Sequence, residues 1–144
     1  MSLKTVLVDT GFWFALYDGK DQYHNIASGT SFDVIDKMHV ALPWPTLYET
    51  INTKFAKNSL RMAEFDKVIQ SSRTTLIDDT SYRDLALQVT IHDRKQPLRA
   101  LSLVDMVIRF ILDDVNVRID ALLTFNPSDF VDVCTRRKIE MISG

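Results

Sequence analysis

Short apolar runs alternate with longer segments of helical periodicity along the chain. The short runs predict strands at residues 4–9, 40–42, 74–77, 120–124 and 138–143. The first of them is β-branched and apolar, which indicates a buried strand. The longer segments repeat apolar residues every three or four positions, which predicts helices at residues 10–17, 22–37, 60–70, 80–93 and 103–113, with another opening at Pro45. Strands that alternate with helices favour an α/β fold. We expect one domain over residues 1–144, a three-layer α/β/α sandwich with a short, mainly parallel sheet.

The segment that opens at Pro45 carries apolar residues at a constant interval. Proline suits the first turn of a helix, where its missing N–H costs nothing. Leu47, Ile51 and Phe55 then follow one another at four-residue spacing. This spacing predicts a single helix that runs through Phe55.

Composition narrows the classes of protein that the chain can belong to. Its 144 residues are 46% hydrophobic and 25% charged, as in a globular domain that needs no disulfide to fold. The single cysteine, Cys134, has no partner for an internal disulfide, which fits a reducing cytoplasm. No apolar run reaches the roughly 20 residues of a membrane helix, and the N-terminus does not resemble a signal peptide. We therefore expect a cytoplasmic protein without a membrane partner.

Four acidic residues stand where buried elements begin or end. Asp9 closes the first apolar strand, and Asp129 lies in the loop after the strand at residues 120–124. Glu49 and Asp105 lie in the first turns of two predicted helices, and the neighbours of Asp105 in sequence are apolar. Brought together, four carboxylates would repel each other, and a divalent cation would relieve that repulsion. Mg²⁺ or Mn²⁺ favours such oxygen ligands and could activate a water for hydrolysis of a phosphodiester.

Each acid also has a local explanation when it is considered alone. Asp9 could cap the helix that follows it. Glu49 and Asp105 could be favoured by the dipole at the starts of their helices. Asp129 could be a turn residue after Pro127 and Ser128. The argument for a site therefore depends on the four acids together.

Five segments together resemble the PIN domain family, and within it the VapC-like toxins of toxin–antitoxin pairs. They are residues 6–10, 18–27, 45–49, 101–108 and 122–130, and the overall resemblance covers nearly the whole chain. The resemblance implies a metal-dependent endoribonuclease with an RNA substrate, a homodimeric state and a small antitoxin partner that blocks the site. It also implies a site that combines catalytic, metal-binding and supporting residues. The catalytic set is Asp9, Glu49, Asp105 and Asp129; Asp9, Glu49 and Asp105 hold Mg²⁺ or Mn²⁺; and Thr10, Ser102, Thr124 and Asn126 support them.

Two positions depart from the family pattern. Gly11 replaces the Asn or Ser that often follows the first acid and its hydroxyl neighbour. Asn126 stands where many members carry an acid, and in many toxin-like members the acid comes at the position of Asp129 instead. Both Asn126 and Asp129 therefore remain candidates for the fourth position. Whether the site holds one ion or two also remains open.

Other functions fit the pattern less well. An aspartyl-nucleophile phosphatase needs a second Asp two residues after the first, where this chain has Gly11, and a receiver domain needs an acidic pair that Val8 and Asp9 do not supply. A catalytically inactive PIN-like module that binds RNA or protein remains the alternative. The net charge of −2 means that contact with RNA must come from a local basic patch or from bound cations. The aromatic residues Trp13, Phe14 and Trp44 are expected in the core or at a dimer face.

Overall fold

Five parallel strands form the centre of the molecule. A computed structural model describes residues 3–92 and 101–142. The strands lie side by side in the order β3-β2-β1-β4-β5, and every pair of neighbours is parallel. Their bounds are β1 Thr5–Val8, β2 His39–Pro43, β3 Thr74–Ile77, β4 Ala121–Leu123 and β5 Glu140–Ile142.

Helices connect these strands and cover both faces of the sheet. Five helices precede the third strand, namely α1 Thr10–Tyr17, α2 His24–Val34, α3 Trp44–Thr50, α4 Thr53–Ala56 and α5 Ser59–Gln70. Three follow it within the described residues, namely α6 Thr80–His92, α7 Leu103–Asp113 and α8 Val131–Arg137. No helix within residues 3–92 and 101–142 has the length and apolar character required to cross a bilayer.

The alternation of side chains along β1 creates two separate cores. Val6 and Val8 point to the face covered by α1 to α5, where they join Phe12, Trp13 and other buried residues. Leu7 points to the opposite face, which α6, α7 and α8 cover. Successive residues of a strand face opposite sides of a sheet, so a strand buried on both sides must be apolar throughout. The two cores confirm the expected α/β/α sandwich, and the sheet is parallel throughout its five described strands.

Two elements differ from the prediction. Helix α3 ends at Thr50, with Ile51 as its C-cap, and the Asn52 side chain accepts a 2.9 Å hydrogen bond from the backbone N–H of Phe55 at the start of α4. The predicted single helix through Phe55 is therefore wrong. The four-residue spacing of apolar residues continues across the break because the side chains of Leu47 and Phe55 are buried in the same core. Helix α8 was not predicted, although it forms the crossover between β4 and β5 and buries Cys134.

Candidate active site

The carboxyl ends of β1 and β4 lie at the point where the order of the sheet reverses. From β1 the chain proceeds through β2 to β3 on one side, and it returns to β4 and β5 on the other. Ligands of open α/β sheets bind beyond the carboxyl ends of strands at such a switch point. Val8 pairs with Leu123 here, and the backbone N–H of Asp9 donates to the Leu123 carbonyl at 3.0 Å. Asp9 and Thr124 are thereby held side by side.

Asp9 is a buried carboxylate, with only 7% of its surface exposed. Its Oδ1 accepts a 2.8 Å hydrogen bond from the backbone N–H of Thr10, and its Oδ2 accepts a 3.0 Å bond from the Thr124 hydroxyl. Burial raises the pKa of Asp9 from 3.8 to about 6, against the effect of these two hydrogen bonds. The negative charges of Asp105 and Glu49 raise it further. The Asp9 carboxylate is therefore held in an environment that disfavours its charge.

Glu49 is connected to Asp9 through Thr10. It lies on α3, which begins directly after β2, so the parallel sheet brings it to the same end as Asp9. The Thr10 hydroxyl donates a 2.7 Å hydrogen bond to Glu49 Oε1, while the Thr10 backbone N–H donates to Asp9. A single residue thus orients both carboxylates. Glu49 itself is exposed.

Asp105 lies in the first turn of α7 and is half-exposed. The Ser102 hydroxyl accepts a 3.0 Å hydrogen bond from the Asp105 backbone N–H, and the Asp105 carboxylate accepts a 3.3 Å bond from the Ser102 backbone N–H. This reciprocal arrangement is a capping box, which satisfies two N–H groups at the helix start. The charge of Asp105 still acts on Asp9, so the two carboxylates share one electrostatic environment.

Asn126 and Asp129 lie beyond β4 in different surroundings. The backbone N–H of Asn126 donates to the Thr124 hydroxyl at 3.0 Å, which places Asn126 next to the residue that holds Asp9. The carbonyl of Asp129 accepts a 2.7 Å hydrogen bond from Arg109, whose pKa is raised chiefly by its hydrogen bonds to Asp132 and to a smaller extent by the charge of Asp129. Asn126 is thus connected to Asp9 through Thr124, whereas Asp129 lies beside a guanidinium.

The site does not show an assembled set of three metal ligands. Among residues 3–92 and 101–142, no group of three or more His, Cys, Asp or Glu side chains is arranged so that it could hold a metal ion. Asp9, Thr10, Glu49 and Thr124 form one hydrogen-bonded chain, with Asp105 close enough to influence the pKa of Asp9. The chemistry available at this position is that of oxygen donors with an excess of negative charge.

Two groups of residues near the site were missed or assigned elsewhere by the sequence analysis. Arg109 lies four residues after Asp105 on α7 and makes hydrogen bonds of 2.7 and 2.6 Å to Asp132. The four-residue spacing puts Asp105 and Arg109 on one helix face, and this pattern in the sequence could have indicated Arg109. Trp44 was expected in the core or at a dimer face; it is 40% exposed beside Tyr48, which is 75% exposed, so it lies outside the core and the dimer face stays a prediction. Trp13 does lie in the core, as expected.

Comparison with known proteins supports the fold. No family model matches the chain, and no curated protein matches it. Among the solved structures that match is one described as VapBC2 from Rickettsia felis bound to a DNA fragment from their promoter. The similarity to a chain of that structure has a TM-score of 0.56 at 16% sequence identity, and it covers 96% of this chain and 97% of the other. The chain therefore has the PIN-like α/β/α fold that the resemblance in its sequence implied.

Proposed function

We propose that this protein is a metal-dependent endoribonuclease that hydrolyses RNA phosphodiester bonds. The observation that carries the proposal is the buried Asp9 carboxylate, whose pKa is raised to about 6 at the switch point of the sheet, with the charges of Asp105 and Glu49 acting on it. Perturbed carboxylates of this kind are concentrated at functional sites. The choice of RNA as substrate follows from the VapC-like fold and from the resemblance in sequence.

The donor set fits a hard divalent cation. Mg²⁺ prefers oxygen ligands and keeps several waters, so one or two carboxylates are enough to hold it. A preassembled group of three ligands is therefore not required. A cation next to Asp9 would favour the charged carboxylate that burial disfavours. Asp9, Glu49 and Asp105 would hold Mg²⁺ or Mn²⁺, and Asn126 or Asp129 would complete the rim.

The reaction that follows is hydrolysis by direct attack of water. When bound, the cation supplies activation of the water and stabilisation of the charge that develops on the phosphate. Thr124 and Thr10 fix the orientation of Asp9, and Thr10 also orients Glu49. Asn126, a neutral amide next to Thr124, would orient water or the phosphate rather than add charge. The bond from phosphorus to the leaving oxygen breaks as the water oxygen bonds to phosphorus, and no covalent enzyme intermediate forms.

The test is cleavage of RNA by the purified protein with Mg²⁺, with Mn²⁺ and with EDTA. We expect cleavage only with a divalent ion, and loss of cleavage in Asp9→Asn and Asp105→Asn because each change removes a ligand charge. Asp33→Asn is the matched control, since Asp33 lies on α2 with a side chain that is 77% exposed and pairs with Lys37. Cleavage that persists in EDTA, or an Asp9→Asn variant as active as the parent, would refute the proposal.

A catalytically inactive module is the second candidate. The observation in its favour is the capping box, since a carboxylate occupied at the start of α7 is explained without chemistry. The same RNA experiment separates the two functions. A protein that binds RNA with any metal but never cuts it would be the inactive module.

We further propose that the protein is the toxin of a toxin–antitoxin pair and a homodimer. The VapBC2 structure from Rickettsia felis supports the toxin role through its shared fold, and the homodimer rests on the resemblance in sequence. Expression of the parent protein should then arrest the growth of a host cell, and Asp9→Asn should not. Light scattering of the purified protein should give twice the mass of the 144-residue chain. Normal growth during expression of an active nuclease would contradict the toxin role, and a monomer in solution would contradict the proposed dimer.

A further inference from the structure

A cleft of about 340 Å³ opens directly beside Glu49. One of its walls is α3, through Tyr48 and Glu49, and another is the start of α7, through Leu103 and Val104. These are the helices that carry two of the site acids. A group that entered this cleft would therefore lie next to whatever is bound between Glu49 and Asp105.

The wall on α3 carries the exposed ring of Tyr48, and a second exposed ring, Trp44, packs beside Tyr48 without lining the cleft itself. Tyr48 is 75% exposed, and Trp44, one helical turn before it, is 40% exposed. Their ring centroids are 6.0 Å apart, with 43° between the ring planes, so each ring supports the other while much of their surface remains in solvent. Two large rings exposed to water are unfavourable unless a partner covers them, because the free energy falls when aromatic surface is removed from water.

The remaining lining of the cleft combines apolar and charged groups. Leu103, Val104 and Val107 give it apolar sides. Asp79 and Arg83 add a carboxylate and a guanidinium whose nearest atoms are 3.7 Å apart. The cleft thus offers flat apolar contact together with one hydrogen-bond acceptor and one donor. A nucleobase has this chemistry, with two apolar faces and an edge of donors and acceptors.

We infer that this cleft binds a base of the RNA substrate next to the scissile phosphate, with Tyr48 as the stacking surface and Trp44 packed beside it. The inference rests on the proposed nuclease function. It also answers a difficulty of that function, since the chain has a net charge of −2 and acids at its centre. Stacking on aromatic rings attracts a base without requiring positive charge. Asp79 and Arg83 would contact the edge of the base, where Asp79 accepts and Arg83 donates hydrogen bonds.

The first experiment measures kcat and KM for cleavage of a short unstructured RNA with Mg²⁺. A stacked base is worth a factor of about 5 to 150 in affinity. Tyr48→Ala should therefore raise KM by about that factor and leave kcat nearly unchanged, because the lost contact exists in both the ground state and the transition state. Tyr48→Phe should restore the parent KM. Phe32→Ala is the matched control, since Phe32 is an aromatic residue on α2 with 68% of its surface exposed.

The second experiment does not depend on cleavage. A nucleoside 5′-monophosphate contains no phosphodiester to hydrolyse, so its binding can be followed by fluorescence in the parent protein with Mg²⁺ present. Trp13 is fully buried and Trp44 is exposed, so a stacked base should quench Trp44 in a saturable manner. Trp44→Phe should lose this quenching, and Tyr48→Ala should weaken it.

The outcomes separate this inference from the nuclease proposal. If the parent protein cleaves RNA while both Tyr48→Ala and Trp44→Ala keep the parent KM, the base subsite is overturned and the nuclease remains. If the parent shows saturable quenching but cleaves no RNA, the base subsite remains and the nuclease proposal fails. If these variants change only the mass of the protein in light scattering, the aromatic surface is a protein interface and the inference is wrong.

Discussion

At the scale of single residues, the electrostatic cost of the site is concentrated at Asp9. This carboxylate is 7% exposed and its pKa is about 6, whereas Asp105 is half-exposed and accepts a hydrogen bond from Ser102. Because the pKa of Asp9 rises from 3.8 to about 6 in the folded protein, folding disfavours the charged form of Asp9 by about 3 kcal/mol. Because burial is its largest cause, this penalty should respond to changes at Asp9 more than to changes elsewhere in the site.

The first prediction concerns the pH dependence of stability without metal. The raised pKa of Asp9 means that the folded protein binds this proton more tightly than the unfolded chain. The resulting stabilisation is fully present below pH 4 and is lost as the pH rises through about 6. Asp9→Asn should remove this dependence and stabilise the metal-free protein at pH 7 by up to about 3 kcal/mol, since Asn can still cap α1. Denaturant unfolding in EDTA from pH 4 to 8 measures both effects. Plots of the free energy of unfolding against pH that run parallel for the parent and the variant would contradict the prediction.

The second prediction concerns Thr124, which is fully buried and donates to Asp9 while accepting from Asn126. Thr124→Val keeps the shape but removes both contacts, so the pKa of Asp9 should rise further and the protein should lose about 1–3 kcal/mol of stability. RNA cleavage should also fall. The control is Thr90→Val, which removes a 2.7 Å hydrogen bond to the Ala86 carbonyl on α6 and should leave cleavage unchanged. Equal loss of cleavage in both variants would mean that Thr124 acts through stability alone.

At the scale of elements, the sequence predicts the strands better than the ends of the helices. The five predicted strands all exist. The three central strands β1, β2 and β4 are almost wholly buried, so each is a nearly continuous apolar run, whereas the edge strands β3 and β5 are only partly buried and carry polar residues. The break at Ile51 escaped prediction because Leu47 and Phe55 contact the same core on both sides of it. Helix α8 escaped because its seven residues, four of them polar or charged, resemble a loop when the sheet that they cover is unknown.

The third prediction concerns the connection between α7 and the loop after β4. Arg109 makes two hydrogen bonds to Asp132 at the start of α8 and one to the Asp129 carbonyl. Such a bidentate guanidinium cannot be replaced by an ammonium with the same geometry. Arg109→Lys should therefore cost about 1–2 kcal/mol of stability, discounted because Asp132 is 58% exposed.

The same variant also tests the role of the loop in the site. If the loop carries the fourth site residue, Arg109→Lys should lower kcat more than it raises KM. Arg136→Lys is the matched control. Arg136 pairs with Asp113 between the same two helices, and the side chains of both residues are exposed. A similar kcat in Arg109→Lys and the parent would show that cleavage does not depend on this loop.

At the scale of the whole molecule, the sheet order brings distant residues into one site. Asp9 and Thr124 are 115 positions apart, yet β1 and β4 are neighbours and their ends are hydrogen-bonded. The two loops adjoin because β1 and β4 are neighbours, and the order of the strands cannot be read from the sequence pattern alone. The partners of Asp9 could not be predicted either. Asp105 has apolar neighbours in sequence, but neighbours on a helix point in different directions, so their apolar character did not imply that Asp105 is buried.

The last prediction tests the site through the stability of the folded protein. A cation that binds the folded state but not the unfolded chain stabilises the protein by mass action, by about 2.7 kcal/mol at a concentration 100 times its Kd. Adding Mg²⁺ or Mn²⁺ at pH 7 should therefore raise the melting temperature of the parent protein, because the ion offsets the charges of Asp9, Glu49 and Asp105. Asp9→Asn should have a higher melting temperature than the parent in EDTA, and the ion should raise it much less. The two melting temperatures should therefore converge or change order as metal is added. Asp33→Asn should follow the parent throughout, and NaCl at matched ionic strength should reproduce none of the shift. If Mg²⁺ and Mn²⁺ raise the melting temperatures of the parent and Asp9→Asn equally, the ion binds elsewhere, and Asp9 is then a helix cap whose buried charge has no metal to hold.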